Sequence, residues 1–508
     1  MTQQRAVRRH AARKGLSVAF GALGAIVVVA LFAAMTIVLP LPGLADGTGN
    51  TGGSSSQTVS QLQLQSYCPA RMSLADNGTY GDSAYQATAG DITSAARYAA
   101  FGSVYRASFG ALSATDSGTA LKGSSKDGSV LAGSGTVNDA AAMLSTRLLE
   151  SKTGTGAAAA AASWATKGDL RGVSAATCVT PALSHGFLLP STGTGTTQQL
   201  VVANPSAKAT TVQVQAWGAD GKVTLSTGES VTVKANGETV TDLSAAAGGQ
   251  SALYVTVSSE QTPVAAVVRI VSIDGLTPQG TEYAVPAGQS NTTSVLPGVE
   301  AGDRVHLFAH SGGDASASLS WITAHGLSTI GKQALHAGRT SVFDLGAAPK
   351  DAFGILVTSG SRITVGAQAA RTADDGQADF ALLRSETATA SSAIVVPGDL
   401  AATITVANPT TSPAAGTLSA YDANGALVGE RKIELQADSA HAVDASAIAD
   451  KAAIIRFDVA DGTLAWGARL TSPEVDKAKA SGVAYLSPSP LAELTERIWA
   501  NQNPTVVR

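Results

Sequence analysis

Four of the seven histidines lie close together in the sequence, at His306, His310, His325 and His336. Imidazole is a common ligand of Zn²⁺ and Cu²⁺, so this cluster has the residue type that a metal site requires. His306 and His310 would share one face of a strand, because side chains alternate between the two faces. This cluster is the first candidate for metal chemistry.

The chain has two cysteines, Cys68 and Cys178. In an exported chain such a pair usually forms a disulfide, and this one would close a loop of about 110 residues. In the chain-entropy model, a disulfide that closes a loop of that length stabilises the folded state by about 4–5 kcal/mol. A catalytic thiol would need a histidine partner, and His185 is near Cys178 only in sequence. We therefore predict a disulfide.

Three aspartates flank a glycine, at Asp374, Asp375 and Asp379, and carboxylates are ligands that Ca²⁺ prefers. Their spacing does not match an EF-hand loop, so an exposed loop is the better interpretation. The sequence also lacks Gly-x-Ser-x-Gly, Ser-x-x-Lys, Walker A and His-Glu-x-x-His motifs. We predict no catalytic, cofactor-binding or metal-binding residues, no cofactor and no enzymatic activity.

Composition and charge exclude some classes of partner. Charged residues make up 14% of the chain, aromatic residues make up 5%, and the net charge is −4. Such a chain has no strongly basic surface for a polyanion, so we expect no nucleic-acid partner. The low aromatic content argues against an extended surface on which sugars or bases stack.

An apolar segment near the N-terminus predicts on which side of a membrane the rest of the chain lies. Residues 16–39 are uncharged, and a helix of 24 residues rises about 36 Å, enough to cross a hydrocarbon core of about 30 Å. Five basic residues precede it, and no Lys or Arg follows until Arg71. The positive-inside rule makes residues 1–15 a cytoplasmic basic tail of a single-pass protein whose bulk lies outside the cell membrane. Residues 40–57 are predicted to be a flexible linker.

A cleaved signal peptide is the alternative to this anchor. Gly43, Leu44 and Ala45 place small residues at a cleavage-site spacing. The hydrophobic region of a signal peptide usually has about 7–15 residues, which is shorter than residues 16–39. We favour the uncleaved anchor, and both interpretations export the residues beyond Ala45.

A threefold repeat with a period of about 100 residues fills the C-terminal part of the chain. Leu-Val-Val-Ala-Asn-Pro at 200–205 matches Ile-Thr-Val-Ala-Asn-Pro at 404–409. An aromatic residue and a turn follow each motif, at Trp217 and at Tyr421. The middle copy, at 305–321, is more diverged.

Within each copy, apolar and polar residues alternate with the period of a β-strand, as at 211–216. Turn signals recur about every 8–12 residues, which is typical of β-sandwiches. We therefore predict a mostly β protein in which tandem immunoglobulin-like β-sandwich repeats follow the transmembrane helix. The repeats cover 188–295, 296–394 and 395–488.

The flanking segments are less regular. Residues 58–187 are predicted to be a β-rich region linked by the disulfide, with a helical insertion at 139–149 that Asn138 or Asp139 would cap. Residues 489–508 form a C-terminal tail, with a short helix expected at 490–500.

The repeat gives several candidate residues a structural explanation. The aligned aromatics would be core residues, as in immunoglobulin-like domains; they are Trp217, Trp321 and Tyr421. Each copy also closes with an apolar strand ending in an arginine, which we expect to make a structural hydrogen bond or salt bridge. These arginines are Arg269, Arg371 and Arg469.

Two of the four clustered histidines align with turn residues of the other copies. His310 takes the place of Asn204 and Asn408, and His325 takes that of Asp220. Asn, Asp and His are enriched at positive φ. We therefore expect a turn conformation, rather than a metal ion, to explain these two histidines.

Three segments of the sequence resemble an uncharacterised family of actinobacterial membrane-anchored or secreted cell-envelope proteins. They are the runs 168–178 and 277–283 and the Asn204-Pro205 motif. The likeness spans residues 160–490. That family has no assigned activity, so the resemblance implies a location and an architecture but no catalytic residues. The family pattern has a Trp-Phe pair after the cysteine, where this chain has Gly186-Phe187.

We expect a non-enzymatic scaffold or interaction protein of the bacterial cell envelope, held at the membrane by residues 16–39, with envelope proteins or surface glycans as partners. A carbohydrate- or cell-wall glycan-binding protein is the alternative, and it would show exposed aromatics or a Ca²⁺ site on one sandwich. An extracytoplasmic hydrolase would need acidic residues that converge in a cleft.

Overall fold

The computed structural model describes residues 54–75, 87–113, 118–123 and 130–501. The fold is mostly β, as predicted, with 36 strands and three short helices in these ranges. None of those helices is long and apolar enough to span a membrane. The predicted transmembrane segment 16–39 and the basic tail 1–15 lie outside the described residues, as does most of the linker 40–57.

The chain divides into two units. The smaller unit comprises Met1–Val59 and Arg497–Arg508. The smaller unit contains most of a two-stranded sheet, which is formed by β1 (Ser54–Ser60) and β36 (Thr495–Asn501). The short helix predicted at 490–500 is wrong, because the backbone there pairs with another strand. The larger unit, Ser60–Glu496, contains four β-sandwiches.

The first sandwich holds the disulfide. Its strands are β2 (Gln63–Cys68), β3 (Thr93–Phe101), β4 (Val104–Gly110), β5 (Thr119–Ala120), β6 (Lys122–Gly123), β7 (Val130–Gly135), β8 (Ala142–Leu148), β9 (Gly156–Ala165) and β10 (Gly172–Thr177). They form the sheets β2-β8-β4-β5 and β10-β9-β3-β7-β6. Cys68 and Cys178 form the predicted disulfide, with Cα atoms 4.4 Å apart. The helix predicted at 139–149 is wrong, because pairing with β2 and β4 holds that segment as a strand.

The second sandwich follows directly. Its elements are β11 (Ser184–Leu189), β12 (Thr196–Asn204), β13 (Thr210–Gly218), β14 (Gly221–Val223), β15 (Ser230–Val233), β16 (Gly237–Asp242), α1 (Leu243–Ala246), β17 (Leu253–Ser258), β18 (Ala265–Asp274) and β19 (Thr277–Ala284). One sheet has the order β11-β17-β13-β14, with β15 also on β13, and the other has the order β16-β12-β18-β19.

The third sandwich is joined by one long strand. Its strands are β20 (Asn291–Pro297), β21 (Arg304–Ser311), β22 (Ala315–Thr323), β23 (Gly326–Leu335), β24 (Arg339–Ala347), β25 (Ala352–Thr372) and β26 (Ala378–Arg384). The first half of β25 pairs with β22 and most of β20, and its second half pairs with β21 and β26. A single strand therefore serves both sheets.

The fourth sandwich repeats the order of the second. Its elements are β27 (Ser391–Val395), β28 (Ala401–Asn408), β29 (Ala414–Tyr421), β30 (Leu427–Leu435), β31 (Ser439–Asp444), α2 (Ala445–Ile448), β32 (Ile454–Asp461), β33 (Ala465–Thr471), α3 (Pro473–Lys477), β34 (Ala484–Leu486) and β35 (Ser489–Pro490). The sheets are β30-β29-β32-β27-β35 and β31-β28-β33-β34.

The same strand order recurs in all four sandwiches, including the first. In each, the first and third strands pair with the same later strand, and the third also pairs with the strand after it; these runs are β2-β8-β4-β5, β11-β17-β13-β14, β20-β25-β22-β23 and β27-β32-β29-β30. The second strand lies between two others in the remaining runs, which are β7-β3-β9-β10, β16-β12-β18-β19, β24-β21-β25-β26 and β31-β28-β33-β34. The region 58–187 therefore contains a fourth copy of the repeat. The sequence does not show this copy, because the Asn-Pro motif of the second and fourth sandwiches is absent from it.

Apolar clusters join each sandwich to the next and close the set into a ring. The first and second share Tyr67, Met143, Val201 and Val267. The second and third share Leu188, Ala252 and Phe308. The third and fourth share Ile322, Leu356, Ala440 and Ala465. The fourth and first share Phe101, Trp164, Tyr421 and Leu470.

The alanine-rich strand β9 shows why the composition is low in bulky residues. Ala159 and Ala161 face the core of the first sandwich, whereas Ala158, Ala160 and Ala162 pack in the cluster shared with the fourth. Small side chains on both faces let a second sandwich approach closely. Contact with both neighbours thus places an alanine run, a helix former by propensity, in a strand.

Candidate functional site

One strand of each sandwich, the last of the first three and the next-to-last of the fourth, lies at the centre of the ring. These strands are β10, β19, β26 and β34. Each lies at the edge of a sheet, and they contact one another across the four sandwiches. We call this meeting point the junction. Two of its polar residues, Asp379 and Glu282, are 0% and 1% exposed.

Asp379, in β26, lies at the centre of the junction and is fully buried. Its carboxylate accepts hydrogen bonds from three main-chain N–H groups, one in each of the other sandwiches. The donors are Val173 at 2.8 Å, Thr281 at 3.0 Å and Val483 at 2.9 Å. Burial raises the pKa of Asp379 to about 8, and the N–H donors oppose that shift.

Each of these donors directly follows a glycine, and two of the glycines show why. A Cβ on Gly172 would lie 2.6 Å from an Asp379 carboxylate oxygen, and one on Gly280 would lie 3.0 Å from the other oxygen. Their φ values, +142° and +120°, are also ones that side chains disfavour. Glycine therefore lets two of the three backbones approach the carboxylate closely.

Glu282, in β19, makes a second link of the same kind. One of its oxygens accepts from the N–H groups of Ala175 at 2.8 Å and Tyr283 at 2.9 Å. The other accepts from the N–H of Tyr485 at 3.3 Å. Burial raises the pKa of Glu282 well above its ordinary value, although these hydrogen bonds act in the opposite direction. Glu282 thereby ties the second sandwich to the first and the fourth.

Gln377 provides a neutral link just before β26. Its amide nitrogen donates to the carbonyls of Arg171 at 3.2 Å and Ser481 at 2.9 Å. Its amide oxygen accepts from the N–H of Ser481 at 2.7 Å. The third sandwich is thus bonded to the first and the fourth through one buried side chain.

A buried ion pair joins the third and fourth sandwiches. Arg469 and Asp303 are 1% and 0% exposed, and Nη2 of Arg469 donates to Asp303 Oδ1 at 3.0 Å. Arg371 donates to the same oxygen at 3.1 Å and to Glu300 at 2.9 Å. In the second sandwich, Nη1 of Arg269 donates to Ser73 of the first at 2.6 Å. The three recurring arginines thus make the structural contacts that the repeat predicts.

The junction brings together two carboxylates, Asp379 and Glu282, but neither is accessible to a substrate. Both are buried, and each of their oxygens accepts a main-chain N–H. A general acid or base must come within hydrogen-bond reach of the reacting group. These carboxylates can hold strands together but cannot reach a ligand without displacing backbone.

A cavity of about 240 Å³ opens near the junction and is lined by residues of all four sandwiches. Its wall includes Cys178 of the disulfide, His185 and Arg384. Arg384 Nε lies 3.4 Å from Glu386, and His185 Nε2 lies 2.7 Å from a main-chain carbonyl. Burial lowers the pKa of His185. Both of these groups already have partners in the protein.

The four clustered histidines have separate environments. His310 stacks on Tyr254 of the second sandwich with ring centroids 4.1 Å apart, and burial lowers its pKa to about 4. His306 and His336 each have an aspartate oxygen at 3.8 Å. Among the described residues, no three His, Cys, Asp or Glu side chains are placed to hold a metal ion.

Neither His310 nor His325 has the positive φ that the turn explanation implies, although His325 does lie in the turn between β22 and β23. Outside glycine, positive φ occurs among the described residues at Asn236, Asp438 and Lys479. After His325, it is Gly326 that adopts the left-handed conformation, with φ +129°. The glycine of the turn pair therefore takes the strained position and the residue before it does not.

Strand pairing also corrects the alignment of His310. Asn204 pairs with Gly237 and Asn408 pairs with Ser439, each directly after a residue with positive φ. In the third sandwich the residue at that place is Ser311, which pairs with the residue after Gly338. His310 is thus one residue earlier, and a shift of one residue moves a side chain to the opposite face of a strand.

The aligned aromatics do not all share one environment. Trp321 and Tyr421 are 6% and 8% exposed, as predicted for core residues. For Trp217 the prediction is wrong, because it is half-buried and lies outside the core of its own sandwich. Its ring centroid is 5.8 Å from that of His310, and Thr340 donates to its carbonyl at 2.7 Å. Trp217 therefore packs against the third sandwich.

Asp374 and Asp375 lie in an exposed turn before Gly376, as the loop interpretation predicts, whereas Asp379 does not. Asp375 is half exposed and pairs with Arg171 at 2.7 Å. Asp379 points into the junction and is fully buried. The sequence reasoning named Asp379 but missed its role, and it missed Glu282 and Gln377 altogether. A usable signal was present, because a glycine precedes an aliphatic or threonine residue at each of the three donor positions.

Comparisons with known proteins give one family match. A family of unknown function (DUF5719) matches residues 132–489. No curated protein matches the chain. The Streptomyces avermitilis alpha-L-rhamnosidase, complexed with L-rhamnose, aligns at 9% identity and a TM-score of 0.13, over 79% of this chain and 54% of its own. The chain thus spans about half the length of that enzyme.

A second solved structure is BcpA, the major pilin subunit of Bacillus cereus. It aligns at 11% identity and a TM-score of 0.11, over 63% of this chain and 96% of its own. Likenesses at this level carry no argument about this chain.

Proposed function

The chain belongs to a family of unknown function (DUF5719), and because that family has no assigned activity, we propose a role from the residues themselves. We propose a non-enzymatic, membrane-anchored scaffold or interaction protein of the bacterial cell envelope. The observation that carries the proposal is the junction, where charged and polar side chains are used to bind the backbones of neighbouring sandwiches. Such use stabilises one assembled body and leaves these groups without a free atom for catalysis.

The architecture supports a binding role. In this proposal the four units are immunoglobulin-like sandwiches, which commonly present loops and strand edges to partners while their cores stay packed. Holding four of them in one body would pre-organise the surface. A pre-organised surface loses less conformational entropy when it binds.

The location rests on the sequence. The apolar segment 16–39 and the basic residues before it favour a single-pass anchor with the bulk of the chain outside. The disulfide supports an oxidising compartment. The resemblance of the motif runs supports an actinobacterial cell envelope as the setting.

Cell fractionation with protease protection tests the location. We expect the full chain in the membrane fraction, with the larger unit digested from outside only when the wall is opened. A variant lacking residues 16–39 should remain soluble in the cytoplasm. A mature N-terminus at Asp46 would show that the segment is cleaved, and protection of the larger unit inside closed vesicles of the opposite orientation would contradict export.

Site-specific photo-crosslinking in intact cells tests the interaction role. The probe replaces Leu276 or Leu427, which are 69% and 54% exposed, and a matched control replaces Leu319, which is fully buried. We expect the same envelope component to be captured from an exposed position in repeated experiments and not from Leu319. Capture of nothing from any exposed position would argue against a scaffold.

Glycan binding is a second candidate that one observation favours: the cavity is large enough for a single sugar ring and is lined by hydroxyl groups and Arg384. The buried positions of Trp321 and Tyr421 weaken it, because exposed aromatics were its expected sign. Thermal unfolding with cell-wall polysaccharide fragments tests it, with Arg384→Lys as the variant. An unchanged unfolding temperature and no retention on the polysaccharide would rule it out.

A further inference from the structure

A second cavity, of about 300 Å³, opens at the side of the fourth sandwich. It lies between β30 and β31, which are edge strands of the two sheets of that sandwich. Ala324, in the turn between β22 and β23, borders the cavity from the third sandwich. A volume of about 300 Å³ is at the lower end of the range for ligand sites, so the cavity suits a small ligand.

Strand pairing places two nitrogen-bearing side chains on the inner walls of this cavity. Arg431, in β30, pairs with Leu418. His441, in β31, pairs with Val406. Both partners belong to the core of the sandwich, and residues paired across neighbouring strands share one face of a sheet. The guanidinium and the imidazole therefore face the space between the two sheets from opposite sides, at its open edge.

The positive charge on these walls is not balanced by the protein. Arg431 is half-buried, and no carboxylate of the described residues lies within ion-pair distance of its guanidinium. Burial and the charge of Arg431 lower the pKa of His441, so the two groups are within electrostatic reach of each other. Lys432 and Glu434 also line the cavity, but they alternate with the inward residues of β30 and lie on its outer face, where their charges offset each other.

His441 departs from the repeat. The Val-Ala-Asn motif occurs at 202–204 and 406–408, so Val202 and Val406 are equivalent. Val202 pairs with Thr239 where Val406 pairs with His441. A threonine serves the same strand of the second sandwich, so the fold does not require an imidazole at this place.

We propose that this cavity binds a phosphate group, with the guanidinium of Arg431 donating to two of its oxygens and the imidazole of His441 donating to a third. A guanidinium binds phosphate oxygens in pairs, and a neutral imidazole has one N–H to donate. Donors on opposite walls fit a tetrahedral oxyanion better than a carboxylate, whose two oxygens lie on one side. The site shares no residue with the cavity near the junction, and it does not depend on the membrane anchor.

Isothermal titration calorimetry of the full-length protein in a non-ionic detergent tests the site. The probes are inorganic phosphate, glucose 6-phosphate, glucose and acetate, all at one ionic strength because salt screens exposed charges. The variants are Arg431→Gln and His441→Thr, the second of which copies the residue of the second sandwich. The matched control is Lys234→Gln, which removes an exposed positive charge between β15 and β16, the corresponding strands of the second sandwich.

We expect both phosphates to bind at one site per chain. Arg431→Gln should weaken that binding about tenfold or more and His441→Thr about threefold or more, because each removes a hydrogen bond to a charged group. Lys234→Gln should leave it unchanged. Tighter binding of glucose 6-phosphate than of inorganic phosphate supports a phosphate carried by a sugar, and equal binding of the two supports the free ion.

Three results would overturn the inference. The absence of saturable binding by either phosphate excludes the site. Acetate or glucose binding as tightly as the phosphates excludes recognition of a phosphate group. Equal weakening by Lys234→Gln and Arg431→Gln indicates attraction to the whole surface charge and not to this cavity. Circular dichroism shows whether each variant is folded, and His441→Thr decides the question if Arg431→Gln does not fold.

Discussion

Asp379 is predicted to hold the four sandwiches together, and substitutions at this position test that role. Asp379→Ala removes the acceptor for the N–H groups of Val173, Thr281 and Val483, which lie 2.8, 3.0 and 2.9 Å from the carboxylate. Each buried N–H left without a partner costs about 1–3 kcal/mol. The alanine variant should therefore lose about 3–9 kcal/mol of stability, with the low end expected if water enters the space.

Asp379→Asn makes the prediction more specific. The remaining amide oxygen can replace the oxygen that Val173 and Val483 share, whereas the amide nitrogen then faces the N–H of Thr281. One donor loses its acceptor, so we expect a loss of about 1–3 kcal/mol, smaller than that of the alanine variant. The order of the two losses follows from which oxygen serves two donors.

Urea unfolding followed by tryptophan fluorescence measures both losses. The matched control is Asp375→Asn, four residues earlier, whose half-exposed pair with Arg171 should contribute at most about 1 kcal/mol. If Asp379→Ala unfolds at the same urea concentration as Asp375→Asn, the carboxylate does not hold the junction. The reasoning about the four converging strands would then be wrong.

Three further predictions concern the same unit. Because burial raises the pKa of Asp379 from 3.8 to about 8, the contribution of this residue to stability should be fully present below the lower value and should be lost as the pH rises through about 8. Urea midpoints at pH 5 and pH 8 check this, and Asp379→Asn should reduce the difference between them. Reduction of the disulfide, which closes a loop with a separation of 110, should cost about 4–5 kcal/mol by urea unfolding with and without reductant, and an unchanged midpoint would contradict that. Arg469→Met leaves the buried Asp303 with one fewer cation and should lower stability by about 3–5 kcal/mol, less if Arg371 compensates, as thermal unfolding would show.

Local patterns in the sequence were sufficient for the strand-rich character and the disulfide. Alternation at 211–216 depends only on neighbours two residues apart, and the structure has those residues in β13 with alternating burial. The pairing of Cys68 with Cys178 followed from there being two cysteines and from export. Neither inference required knowledge of which sandwiches touch.

The ring and its junction depend on approaches between segments that are distant in the sequence. Asp379 is buried because three segments from other sandwiches surround it and donate to it. Likewise, β8 is a strand rather than a helix because β2 and β4 flank it. His310 faces Tyr254 because strand pairing shifts it by one residue from the aligned asparagines. The sequence by itself determined the local period of each strand, whereas only the tertiary structure decided which polar residues were taken out of water, because burial is set by neighbours that no local pattern specifies.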